Sequence, residues 1–238
     1  MNNSFLLRFL IILYESFFFN FAIQNLNQLQ LSIEKVSNSK KMFLSLVSVA
    51  YAAAMTIPDR YPGIVYGDTN PLVHLEIYAD PLCSVCAYFW PTVKDILAAY
   101  PKNLKTTVHF LPLPYHTWAF VMTKAILAVD QISRDKAKTL MDNIFLSDQE
   151  KFDLPSKSQD EVIQIVAKYV EDTLSISQMD FLSKFYDVES DARIEFKFAA
   201  SNRVNGTPIC FLNGVETDLG AGTPLATWQQ TIDALINA

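Results

Sequence analysis

Cys83 and Cys86, three residues apart, are the side chains in this 238-residue chain best suited to chemistry. A thiolate is the nucleophile of thiol chemistry, and two cysteines on the first turn of a helix can close a disulfide. The segment from Leu75 to Trp90 opens with an apolar stretch fit for a buried strand. It then turns at Asp80 and Pro81, reaches the two cysteines and continues in a helical pattern. That order places the first thiol at a helix N-terminus, where unpaired N–H groups and the helix dipole favour negative charge. A Cys-x-x-Cys beside a strand–helix pattern reads as a thiol–disulfide site, with Cys83 attacking and Cys86 resolving. The rival uses of the pair are a structural disulfide and half of a zinc site. Zinc needs two more soft ligands, and the sequence holds no second Cys-x-x-Cys and no His-x-x-x-His.

Around the pair, Glu76 is a candidate proton relay for Cys86, as a buried carboxylate in the preceding strand. The alternative for Glu76 is a strand-end or surface position. Asp80 reads as a turn residue before Pro81, and Cys210 as a buried free thiol. Tyr88, Phe89 and Trp90 follow the motif at helical spacing and read as core or groove wall. His74, His109 and His116 receive no catalytic role. No cofactor and no metal is implied.

These residues need a frame, and the rest of the sequence supplies one. Val73 to Tyr78 reads as a central strand, Cys83 to Tyr100 as a helix running through Pro91, and Thr106 to Leu111 as a second strand. From Thr117 to about Asp187 the apolar residues recur at helical spacing, with a capping box of Ser158 and Glu161. Pro208 to Leu212 reads as a strand, Asn213 and Gly214 as a hairpin turn, and a last helix opens at Thr223 and Pro224. Ile57 to Asn70 reads as an irregular lead-in. The formal net charge is −6, and no Lys/Arg cluster with interleaved aromatics occurs, which argues against nucleic acid as a partner.

The first 54 residues differ in kind. Residues 1–41 contain neither Gly nor Pro. Within them, residues 4–23 are apolar apart from Arg8 and Glu15, so they are a signal-anchor candidate by length. Residues 42–54, after Lys40 and Lys41, have the short apolar core and small residues of a secretory signal. The expected organisation is a leader over 1–41, a signal peptide over 42–54 and one domain over 55–238, with a helical insert at about 117–187. Membrane anchoring through 4–23 is expected only if that leader is real. A secretory compartment (endoplasmic-reticulum lumen, endomembrane or exterior) suits a dithiol that works as a disulfide.

The order strand, helix, strand, helical block, strand, hairpin, helix resembles the DsbA-like branch of the thioredoxin superfamily. The residues that carry the resemblance are Val73 to Tyr78, Cys83 to Cys86 with the helix after them, Phe110 to His116, and Asn205 to Gly214. It extends from about Pro71 to Ala238. It implies an α/β fold: a thioredoxin fold with an all-helical insertion. By the same resemblance Pro208 is a cis-proline facing the dithiol, and Thr207 offers its backbone to an extended substrate strand. Strongly oxidising members carry a His before the second Cys, where this chain has Val85. A less stabilised thiolate and a less oxidising couple are therefore expected. The function implied is disulfide exchange with cysteines of protein substrates, recharged by a redox partner that the sequence does not identify. The alternatives are a redox-inactive binding or chaperone-like module and a small-thiol-dependent isomerase or transferase.

Overall fold

The computed structural model describes residues 61–238. The expected leader and signal segments lie outside the described residues. Among the described residues no helix is long and apolar enough to cross a membrane.

A five-stranded mixed sheet forms the centre. Its strands are β1 (Ile64–Gly67), β2 (Val73–Ala79), β3 (Leu104–Phe110), β4 (Ile209–Leu212) and β5 (Val215–Thr217), in the spatial order β1-β3-β2-β4-β5. β2 and β3 run parallel; the other three pairings are antiparallel. A parallel pair needs a crossover, and helix α1 (Ser84–Ala99) supplies it. β2 is the middle strand and is covered on both faces, with Val73, Leu75, Ile77 and Ala79 alternating with His74, Glu76 and Tyr78. α1 continues through Pro91, whose ring lies on the exposed face of the helix.

β1 was not expected; its residues fall in the stretch read as an irregular lead-in. It is a four-residue edge strand that follows Gly63 and ends on Gly67, too short to carry a periodic signal. Gly63 sits at φ 97°, and a side chain there would meet Thr107 and His109 at 2.6 and 2.9 Å.

Between β3 and β4 the chain is helical: α2 (Ala119–Ile132), α3 (Arg134–Asn143), a π turn (Ile144–Asp148), a 3-10 turn (Gln149–Lys151), α4 (Gln159–Leu174), α5 (Gln178–Asp187) and α6 (Glu189–Ser201). α4 starts at the expected capping box: Ser158 accepts from the Glu161 N–H, and the Glu161 carboxylate accepts from the Ser158 N–H. Asn213 and Gly214, at φ 49° and 80°, make the tight turn between β4 and β5. Helix α7 (Leu225–Ile236) closes the chain.

The two faces of the sheet are covered differently. Leu75, Ile77 and Ala79 share one cluster with Cys83, Cys86, Phe89, Val93 and Ile96 of the α1 segment and with Trp228 and Ile232 of α7. Tyr78 belongs to the other cluster, with Leu111, Leu113 and Ala199 of α6. Successive strand residues point to opposite faces, so β2 divides its side chains between a dithiol face and an α6 face.

Candidate active site

The site is built where β2 hands over to α1. The Asp80 carboxylate, fully buried, shapes the turn. One oxygen accepts from the Leu82 N–H at 2.7 Å, and the other accepts from the Leu113 N–H at 2.6 Å. His116 Nδ1 lies 2.9 Å from that second oxygen. The Asp80 carbonyl accepts from the Cys83 N–H at 3.0 Å. A buried carboxylate is tolerated when donors surround it, and here those donors pin the connector Leu111–His116 to the base of the cysteine loop. The connector and the turn thus hold each other.

Cys83 is the N-cap of α1, with φ −77° and ψ 116°. At that position a side-chain acceptor meets the N–H groups two and three residues on, here those of Val85 and Cys86. A neutral thiol makes no such cap bond; a thiolate does. The Cys83 thiol is accordingly held down at about 5. The largest cause is the hydrogen bond from the Cys86 thiol, followed by the Thr207 hydroxyl and the backbone N–H groups of Cys86 and Val85, against an opposing effect of burial. Cys86, deeper in the core, moves the other way: burial, then the neighbouring Cys83, push it well above the ordinary thiol range. Two thiols with opposite shifts give one nucleophile and one reserve proton donor. The Cys83 thiol is lowered here without a His before Cys86.

Across from the pair, the Thr207–Pro208 peptide is cis, and Cys83 Sγ donates to the Thr207 carbonyl at 3.5 Å. The structure therefore brings together Cys83, Cys86, Thr207 and Pro208, which are far apart in the chain. Cys83 itself is only 5% exposed. Its rim is open: Val85 is 47% and Tyr88 71% exposed, and Gly206, Thr207 and Pro208 are half-buried. Phe89 and Trp90 turn inward to the core.

Glu76 requires a correction. It shares the α6 face with Tyr78, away from the dithiol. There its carboxylate accepts from the Tyr61 hydroxyl at 2.9 Å and lies 3.3 Å from His109 Nε2. The His109 contact chiefly holds the Glu76 carboxyl below its usual range. A relay to Cys86 would have to pass through the sheet, so Glu76 is a buried ion-pair residue of the opposite face. Cys210, paired with Ile77 on β2, is buried on the dithiol face as a free thiol, and burial pushes it up to about 12. Among the described residues no group of three His, Cys, Asp or Glu side chains is placed to hold a metal ion.

One contact had no sequence signal. Gln149, from the 3-10 turn of the helical insert, donates through Nε2 to the Pro81 carbonyl at 2.9 Å and to the Cys83 carbonyl at 3.0 Å. It lies 66 residues from Cys83, with no local pattern to mark it.

The family model described as Thioredoxin matches residues 60–234. No curated protein is similar to the chain in sequence. Among solved structures, a candidate protein-disulfide isomerase from Pseudomonas syringae is 19% identical with a TM-score of 0.62, and the match covers 71% of this chain and 97% of that one. Oxidised BdbD from Bacillus subtilis is 15% identical with a TM-score of 0.60, over 74% of this chain and 94% of its own. The thiol-disulfide exchange protein alpha-DsbA2 from Wolbachia pipientis is 18% identical with a TM-score of 0.54, over 84% and 100%. At these identities the likeness is one of fold: the thioredoxin sheet with a helical insertion of DsbA-like type.

Proposed function

We propose that this chain, which belongs to the thioredoxin family, is a thiol–disulfide oxidoreductase that exchanges disulfides with cysteines of protein substrates through Cys83 and Cys86. The observation that carries the reading is Cys83 at the N-cap of α1, with its sulfur against the carbonyl that precedes Pro208. At pH 7 a thiol titrating at about 5 is almost wholly thiolate, by roughly a hundredfold over the thiol.

In the reductive direction the Cys83 thiolate attacks one sulfur of a substrate disulfide. A Cys83–substrate bond forms, the substrate S–S bond breaks, and the first substrate sulfur leaves as thiolate. Cys86 then loses its proton and attacks Cys83 Sγ. The Cys83–Cys86 bond forms and the second substrate sulfur leaves. The two protons that the substrate thiolates take up come from Cys86 and from solvent, and the enzyme is oxidised by two electrons as the substrate is reduced. The oxidative direction is the same sequence reversed. Its net direction follows from the couple's potential against that of the redox partner.

Thr207 and Pro208 are proposed to line the groove in which an extended substrate segment lies, as the resemblance implies. Val85 and Tyr88, both exposed beside the cysteines in sequence, are proposed as further contacts for that segment. The compartment proposed is secretory or extracytoplasmic, where such a couple is useful. No organic cofactor or metal enters the steps.

The test is a trap. Cys86→Ala protein, folded as judged by circular dichroism, should accumulate mixed disulfides through Cys83 with cysteine-containing substrates. Cys83→Ala should accumulate none. A folded Cys86→Ala variant that forms no adduct contradicts the reading and favours a binding module without turnover.

A further inference from the structure

The helical insert touches the nucleophile's own peptide through one polar side chain. α3 ends at Asn143, and the chain then winds through one π turn, Ile144–Asp148, into the 3-10 turn at Gln149–Lys151. Such breaks of helical register are costly in isolation and recur where a side chain has to be re-aimed. This one is clamped to α1. Phe145 packs on Trp90 with ring centroids 4.7 Å apart, Trp90 Nε1 donates to Asp142 at 2.8 Å, and Lys94 pairs with Asp142 at 2.6 Å. What the register break delivers is the Gln149 amide, half-buried, lying against the carbonyls of Pro81 and Cys83.

We propose that Gln149 is a positioning residue for the dithiol: it fixes the Pro81–Cys83 segment so that the Cys83 sulfur stays aimed at the first N–H groups of α1. The inference rests on the thiol–disulfide reading of the site and extends it to the insert. The Cys83 carbonyl already accepts from the Ala87 N–H at 3.1 Å as the first acceptor of the helix. A second donor on the same oxygen restrains the Cys83 backbone, while the bond to Pro81 restrains the residue two positions earlier. Between them lies Leu82, tied to Asp80. The peptide of the nucleophile is therefore held from β2, from α1 and from the insert. Hydrogen bonds to an amide are individually modest, but a thiolate at an N-cap depends on alignment with Val85 N–H and Cys86 N–H, which weakens steeply with angle.

The experiment uses full-length reduced protein and two variants of near-equal size. Gln149→Met keeps length and packing but removes both donors. Gln149→Glu turns donors into acceptors against two carbonyls and adds a negative charge near the sulfur. Thiolate absorbance at 240 nm is followed against pH, with Cys83→Ser subtracted, and the glutathione redox equilibrium is measured on the same samples. The Met variant should hold roughly tenfold less thiolate relative to thiol at a given pH, and the Glu variant less again. Both should favour the disulfide form more than wild type does. Chemical unfolding in parallel reports structure alone, which a merely structural contact would change without moving the titration. Folded variants that titrate and equilibrate like wild type overturn the inference. A wild-type Cys83 that titrates as an ordinary thiol overturns instead the reading on which it rests.

Discussion

One backbone turn places two chemically identical thiols, Cys83 and Cys86, in opposite environments. Cys83 gains its charge first from the Cys86 thiol and then, as an N-cap, from the N–H groups of the helix, while Cys86 keeps its proton because it is buried three residues further along the same turn. The buried Thr207 hydroxyl makes no hydrogen bond in the neutral site and is a donor available to either sulfur as thiolate, which favours the charged form of both. Thr207→Val keeps the shape and removes that donor, so the Cys83 midpoint should rise by about one unit, consistent with one hydrogen bond to a charged group; thiolate absorbance against pH reads it directly. The same shift makes a statement about stability. A folded-state value near 5, below the unfolded ~8.5, gives the reduced protein stability that is fully present above ~8.5 and is lost as pH falls through about 5. Reduced wild type should therefore gain stability on Cys83→Ser between pH 5 and 8, with a slope approaching 1.4 kcal/mol per unit. Urea midpoints of the two proteins at several pH values check this. The difference between them is needed because His109, whose value the Glu195 and Glu76 contacts raise against the effect of burial, contributes with the opposite sign as pH climbs past its ordinary range.

Elements explain both what could be read in advance and what could not. The strand–turn–helix carrying Cys83 and Cys86, the capping box of Ser158 and Glu161, the hairpin at Asn213 and the cis Thr207–Pro208 peptide all leave local or family-level marks in the sequence. The face of Glu76 did not. β2 alternates Val73, Leu75, Ile77 and Ala79 with His74, Glu76 and Tyr78, but both sides are covered and parity alone does not say on which of them the Asp80–Leu82 turn sets the cysteines; one step of register moves a side chain through the sheet. β1 was hidden by its shortness and Gln149 by its distance along the chain. On the α6 face, Glu195 accepts from the Gly63 N–H at 2.5 Å and the Phe110 N–H at 3.2 Å, with His109 3.7 Å away. It joins β1, β3 and α6 while fully enclosed. Removing one partner of a buried ionic group leaves the rest uncompensated, so Glu195→Ala should cost about 3–5 kcal/mol of stability. Cys83 should retain its low midpoint in that variant, since the sheet lies between. A urea titration together with the 240 nm titration tests both halves of this expectation.

The molecule as a whole is a thioredoxin sheet whose dithiol is enclosed by parts that meet only after folding: the β2–α1 turn, the loop before β4, the connector after β3 and the π turn of the insert. The enclosure leaves Cys83 nearly buried beneath an open rim. Because the reduced form carries the stabilised thiolate, it should be the more stable redox state, and the Cys83–Cys86 couple should lie between about −270 mV, the value for thioredoxin, and about −120 mV, the value for DsbA. Equilibration with glutathione buffers gives that potential.

The most direct test joins the chemistry to the access it requires: the rate of iodoacetamide modification at each cysteine of the reduced wild-type protein, resolved by mass spectrometry from pH 3.5 to 9. Modification at Cys83 alone, with a rate that follows a midpoint near pH 5, is the expected result. Protection of Cys83 at every pH in the folded protein, or a midpoint at the ordinary thiol value of ~8.5, would contradict it.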